Sequence, residues 1–174
     1  PPNRLGTHWT GERIAWTHPN AGQWTIHRAE RGLKIEAGQV TGASPYFLPI
    51  QEGSFVGVAG SEMFYFEVLT LSAQSTTAQA IGSGTPIQSH LDISPGVQGA
   101  QIHWEVEGPG GISRHDQEAL SVEARERGQY KIWPVVGIPA VTPRRGPQPL
   151  VFDVTDLRIV PPREGSFPTG RPIQ

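Results

Sequence analysis

The stretch Phe64–Leu71, Phe-Tyr-Phe-Glu-Val-Leu-Thr-Leu, constrains this chain more than any other. It is rich in aromatic and β-branched side chains, which fit a pleated, half-buried surface, and it holds neither Gly nor Pro. Neither parity of the run is polar. In a strand, Phe64, Phe66 and Val68 point one way, while Tyr65, Leu69 and Leu71 point the other way with Glu67. A strand apolar on both faces belongs inside a sheet covered on both sides. The run reads as the central strand of a two-layer β-protein.

Composition agrees with that reading. Gly 21 and Pro 17 make up about a fifth of the 174 residues, and the hydrophobic 36% is interspersed with turn formers. This is the look of an all-β domain, in a chain long enough for one domain with a sizeable core. A net charge of −2 leaves no basic footprint for nucleic acid, and Arg144-Arg145 is the densest cationic spot. Cysteine is absent, which excludes a disulfide framework and a thiolate metal site. No apolar run approaches the length of a membrane span. The sequence opens Pro-Pro-Asn rather than with Met, as a processed product or part of a longer chain does, with room for an anchor or signal upstream.

Residues 1–23 are turn-rich and read as an irregular N-terminal segment, residues 24–160 as a β-sandwich domain, and residues 161–174 as a tail. Within the domain, Trp24–His27 and Leu33–Ala37 alternate around a Glu30-Arg31-Gly32 turn, a hairpin pattern. Pro45 and Pro49 interrupt the apolar residues from Val40 to Ile50, which argues for an edge strand or a loop. Phe55–Ala59 reads as a short strand, and Ser72–Ser89 as a long polar connection. Gln101–Glu107 alternates cleanly, with Ile102, Trp104 and Val106 inward and His103, Glu105 and Glu107 outward. Leu120–Arg125 and Gln129–Val136 read as a second hairpin, with a helix capped by Ser113 as the rival. Pro139–Pro149 reads as a loop and Leu150–Val160 as the last strand. About eight to ten short strands at this spacing predict an antiparallel β-sandwich, a Greek key or jelly roll.

Catalytic signals are sparse, and no catalytic residue is assigned. Glu105 and Glu107 fall two apart on one strand face, with Cα atoms roughly 7 Å apart, within reach of a glycosidase carboxylate pair. Trp104–Gly108 resembles the acidic strand of sandwich-fold glycosidases, but those carry a third carboxylate where this chain has Gly108–Gly111. The plainer reading is a solvated strand face. The six histidines show no His-x-His or His-Glu-x-x-His spacing. Gly82-Ser83-Gly84-Thr85 lacks the Lys of a phosphate loop and reads as a turn, and no Gly-x-Ser-x-Gly elbow occurs. Of the five tryptophans, Trp24 and Trp104 fit core positions. Trp9, Trp16 and Trp133 are less constrained. An exposed Trp stacks on sugars or anchors protein interfaces, so these three, with Phe167 and Ile173 of the tail, are the candidate contacts.

Gln129-Tyr130-Lys131-Ile132-Trp133, followed by Phe152-Asp153-Val154-Thr155-Asp156-Leu157-Arg158-Ile159, resembles the closing strands of jelly-roll, galactose-binding-like carbohydrate-binding modules. The likeness covers the last third of the chain. It implies a jelly roll and a structural calcium near the final strand, where Asp153 or Asp156 matches the family's carboxylate. Domains of this shape also serve as protein-binding parts of extracytoplasmic assemblies. The expectation is therefore a non-catalytic binding domain. It acts either as an accessory or scaffolding part of a larger protein assembly, extracytoplasmic and membrane-associated, or as a glycan-binding module. The two terminal segments are expected to dock on the partner.

Overall fold

The computed structural model describes residues 3–18, 22–30, 33–139 and 141–156. Among these the chain forms no helix. Its strands run in order β1 (Asn3–Trp9), β2 (Ile14–Ala15), β3 (Gly22–Glu30), β4 (Leu33–Gly42), β5 (Tyr46–Phe47), β6 (Gly53–Ala59), β7 (Glu62–Ser75), β8 (Ala80–Gly82), β9 (Thr85–Ser94), β10 (Gln101–Gly108), β11 (Gly111–His115), β12 (Leu120–Ala124), β13 (Gly128–Ile138), β14 (Val141–Arg145) and β15 (Leu150–Thr155). One sheet has the order β12-β9-β7-β6-β3-β4 with β1 added on β7. A second has the order β11-β10-β13-β15-β8 with β14 added on β13, and β2 and β5 make a small ribbon. Pairing is antiparallel except for β1 on β7 and β8 on β15.

The fourteen residues of β7 serve two neighbourhoods in turn. Its first half pairs with β6, from Glu62 opposite Ala59 to Val68 opposite Gly53, and on its other edge with β1. Its second half, Thr70–Ser75, pairs with β9. Phe64–Leu71 is thus the interior strand that its composition predicts. The reason for its two apolar parities is different, however. Phe64, Phe66 and Val68 are buried in one core, Tyr65 and Glu67 face solvent, and Leu69 is buried in another core. The strand passes from one core to the next between Val68 and Leu69.

Three clusters fill the interior. In the first, Trp24, Ile26, Phe55, Phe64 and Phe66 of the larger sheet pack with Ile14, Trp16 and Phe47, on or beside the β2–β5 ribbon. Gly57 is the floor beneath Phe64, where an added Cβ would meet the ring Cζ at 2.1 Å. The second cluster is the sandwich proper. Trp104, Val106, Tyr130, Ile132, Phe152 and Val154 of one sheet face Ile87, Leu120 and Ala124 of the other. Trp9, Leu69 and Val136 form the third cluster, at the junction.

Several expectations are corrected. Residues 1–23 are not irregular as far as they are described, because β1 forms a parallel ladder on β7 and Trp9 and Trp16 are buried. The turn-like composition there reflects Gly6, at φ 83°, and a bulge between Arg4 and Thr7 that keeps β1 on its partner. Ser72–Ser89 is not a connection: it carries the end of β7, all of β8 and the start of β9. Backbone ladders need no apolar side chains, and Ser75 Oγ (2.6 Å to the Gln88 carbonyl) and Thr77 Oγ1 (2.9 Å from the Gln88 N–H) fasten the polar bend. The expected second hairpin does not form: β12 pairs with β9 in one sheet while β13 pairs with β10 and β15 in the other, the rival helix after Ser113 is absent among the described residues, and β14 runs inside the supposed Pro139–Pro149 loop. The last described strand ends at Thr155, and the tail, residues 161–174, lies outside the described residues.

Candidate binding surfaces

Outward positions of β10, β11, β13, β14 and β15 build one face. Opposed residues of paired strands project to the same side, and the registers set Glu105 beside Trp133 and Arg114, and Glu107 beside Lys131 and Ile112. Val151 and Asp153 continue the rows next to Lys131 and Gln129. At the centre, Arg145 of β14 lies with its Cζ 5.0 Å from the Trp133 ring centre. Its Nε donates to Glu105 Oε2 at 2.5 Å. The carboxylate thus fixes a guanidinium on an aromatic face, a contact that gains from both charge and dispersion. Trp133 is half-buried, while Ile112 and Val151 are exposed.

The other candidate residues are placed differently. Trp9 is 1% exposed and Trp16 9%, so neither is available to a partner. Trp9 fills the junction cluster and carries Arg144 4.6 Å above its ring. Trp16 packs 4.5 Å from Phe64 and 5.8 Å from Trp24. Phe167 and Ile173 lie outside the described residues. Asp153 faces solvent and accepts from Gln129 at 3.4 Å, while Asp156 lies 3.9 Å from Arg127. Calcium needs six to eight oxygens, and among the described residues no group of three or more acidic or His side chains gathers for a metal.

The ion pair that joins the two sheets was not legible. Arg144 donates to the Thr7 carbonyl at 2.5 Å and to Glu12 Oε2 at 2.9 Å, and Glu12 also accepts from the Trp9 N–H at 2.8 Å. His8 Nδ1 stands 3.3 Å from the other Glu12 oxygen. Burial alone would raise the Glu12 carboxyl. The His8 ring, the Trp9 N–H and the Arg144 charge outweigh it and lower the pKa to about 2. His8 and Arg144 of this cluster line an open crevice of about 530 Å³ between β1 and β14.

A second exposed surface lies in the first half of the chain. From Pro45 to Ile50 burial alternates, with Pro45, Phe47 and Pro49 turned inward and Tyr46, Leu48 and Ile50 outward. The two prolines that argued for an edge strand or loop are the inward anchors of an extended segment. Tyr46 carries Arg13 4.1 Å above its ring.

No protein-family model and no curated protein matches the chain. Among solved structures, a marsupial T cell receptor aligns with 12% identity over 85% of this chain and 70% of that chain, at a TM-score of 0.32. A likeness that slight carries no argument about binding.

Proposed function

We propose that this chain is a non-catalytic β-sandwich domain that binds a protein partner through the Trp133 face, as an accessory or scaffolding part of a larger assembly. The carrying observation is the Trp133–Arg145–Glu105 arrangement on an open sheet face. Trp and Arg are the side chains that most often anchor protein interfaces, and a rim of mixed charge suits a partner of complementary pattern. Glu105, half of the carboxylate pair, is held by Arg145, which supports a role in the face. A sugar stacking on the covered side of Trp133 must first displace the guanidinium, which argues for protein over glycan. An extracytoplasmic setting rests on the resemblance of the last strands to extracytoplasmic modules.

A photo-crosslinking residue placed at Ile112 or Val151, at the margin of the face, tests this in a lysate of the source cells. The expected product is one discrete polypeptide adduct, lost in Trp133→Ala and Arg145→Ala. Retention of the domain on a polysaccharide panel, abolished by Trp133→Ala and with no adduct formed, replaces this reading with the glycan-binding one. Sugar release lost in Glu105→Gln overturns the non-catalytic assignment.

A further inference from the structure

The outer edge of β4 ends the larger sheet, and among the described residues no strand pairs with it. Residues 33–37 are all exposed, with Leu33 at 69% and Ile35 at 48%. The segment contains no Pro, so no backbone N–H along this edge is missing. Ile35 stands opposite Arg28, and Arg28 opposite the core residue Phe55. Leu33 and Ile35 therefore point to the core side of the sheet, but beyond the core. Arg28, between these residues and Phe55, is turned to Gln51 Oε1 at 2.6 Å and covers neither Leu33 nor Ile35 enough to bury it. An apolar strip thus borders an open strand edge, a combination that recruits another strand.

We propose that this edge pairs antiparallel with β4 of a second copy, about a two-fold axis through Ile35. Strand residues present their N–H and C=O alternately to the two edges. Two identical edges therefore bond only where residues of the same parity meet, so the axis passes through a residue, never between two. An axis through Lys34 sets Lys34 against itself, and one through Glu36 sets Glu36 against itself. An axis through Leu33 overlaps only the hairpin tip. One through Ala37 centres the pairing on the bulge that leaves Ala37 without a partner on β3, which the Ile35 axis meets only at its outermost pair. The axis through Ile35 sets Lys34 against Glu36 twice, Ile35 against Ile35 and Leu33 against Ala37. It also keeps the core sides of both copies on one side of the joined sheet. Leu33 and Ile35 of the two copies then lie together on one side of the joined sheet. Charge complementarity of the edge with itself is what selects a second copy as the occupant. The contact uses a different surface from Trp133 and stands without it.

Analytical ultracentrifugation of the full chain, from micromolar to hundreds of micromolar, tests the proposal. A monomer–dimer equilibrium is expected. Lys34→Glu and Glu36→Lys, each of which creates two like-charge contacts, weaken it on the order of tenfold. The double variant, which restores both opposite pairs in reverse, recovers the wild-type association. Circular dichroism confirms that these exposed substitutions leave the fold intact. A chain monomeric throughout, or a dimer indifferent to the single charge reversals, overturns the proposal. Failure of the double variant to recover association overturns the Ile35 register.

Discussion

Trp104 is wholly buried, and its indole N–H donates to the Glu118 carbonyl at 3.3 Å. Trp104→Ala removes both packing and a satisfied polar group, and is expected to cost about 3–5 kcal/mol, read as a fall in the urea midpoint. Gly57 presents the opposite case. Gly57→Ala has no room beneath Phe64 and is expected to destabilise by about 1–3 kcal/mol. A second change, Phe64→Leu, should cost less in that background than in the wild type, because the clash is shared; a double-mutant cycle reads the difference. Trp104 was legible because strict alternation on β10 assigns its face. Trp9 and Trp16 were not: Trp9 stands between His8 and Thr10 and Trp16 follows a strand of only two residues, Ile14–Ala15, while their burial comes from Leu69 and Val136 in one case and Phe64 in the other. The Glu12–Arg144 pair, 132 positions apart, left no local signal beyond the Arg144-Arg145 dipeptide itself.

At the scale of elements, sequence periodicity revealed strands wherever one face meets a core and the other meets water. β3, β10 and β15 are of this kind. It failed where a strand is held mainly by its backbone. The second half of β7 is polar, β14 is rich in Pro and Arg, and β1 carries a glycine at a bulge. β1 gives a direct test. A chain lacking residues 1–18 loses Trp9, Ile14 and Trp16 from two cores, together with one edge of β7. It is expected to unfold its first half rather than merely to lose a docking segment. Amide exchange should show β6 and the first half of β7 unprotected in that truncated chain, whereas retained protection there would mark the segment as dispensable.

At the scale of the whole molecule, the Glu12–Arg144 cluster ties β1 of one sheet to β14 of the other. Glu12 has its carboxyl lowered from 4.5 to about 2. A carboxyl lowered in the folded state stabilises the fold fully above its ordinary value, and this stabilisation is lost as pH falls from about 4.5 towards about 2. Glu12→Gln is therefore expected to lower Tm at neutral pH and to flatten the acid limb of the stability curve between those values. Equal acid limbs for the two proteins would remove Glu12 from that role. A further consequence belongs to β7, which runs through both neighbourhoods without a break. Its fourteen residues span roughly 46 Å at about 3.3 Å each. A pull on one half of the molecule therefore travels as tension along a single covalent spar. The two halves are therefore joined by one continuous paired strand and not by a linker.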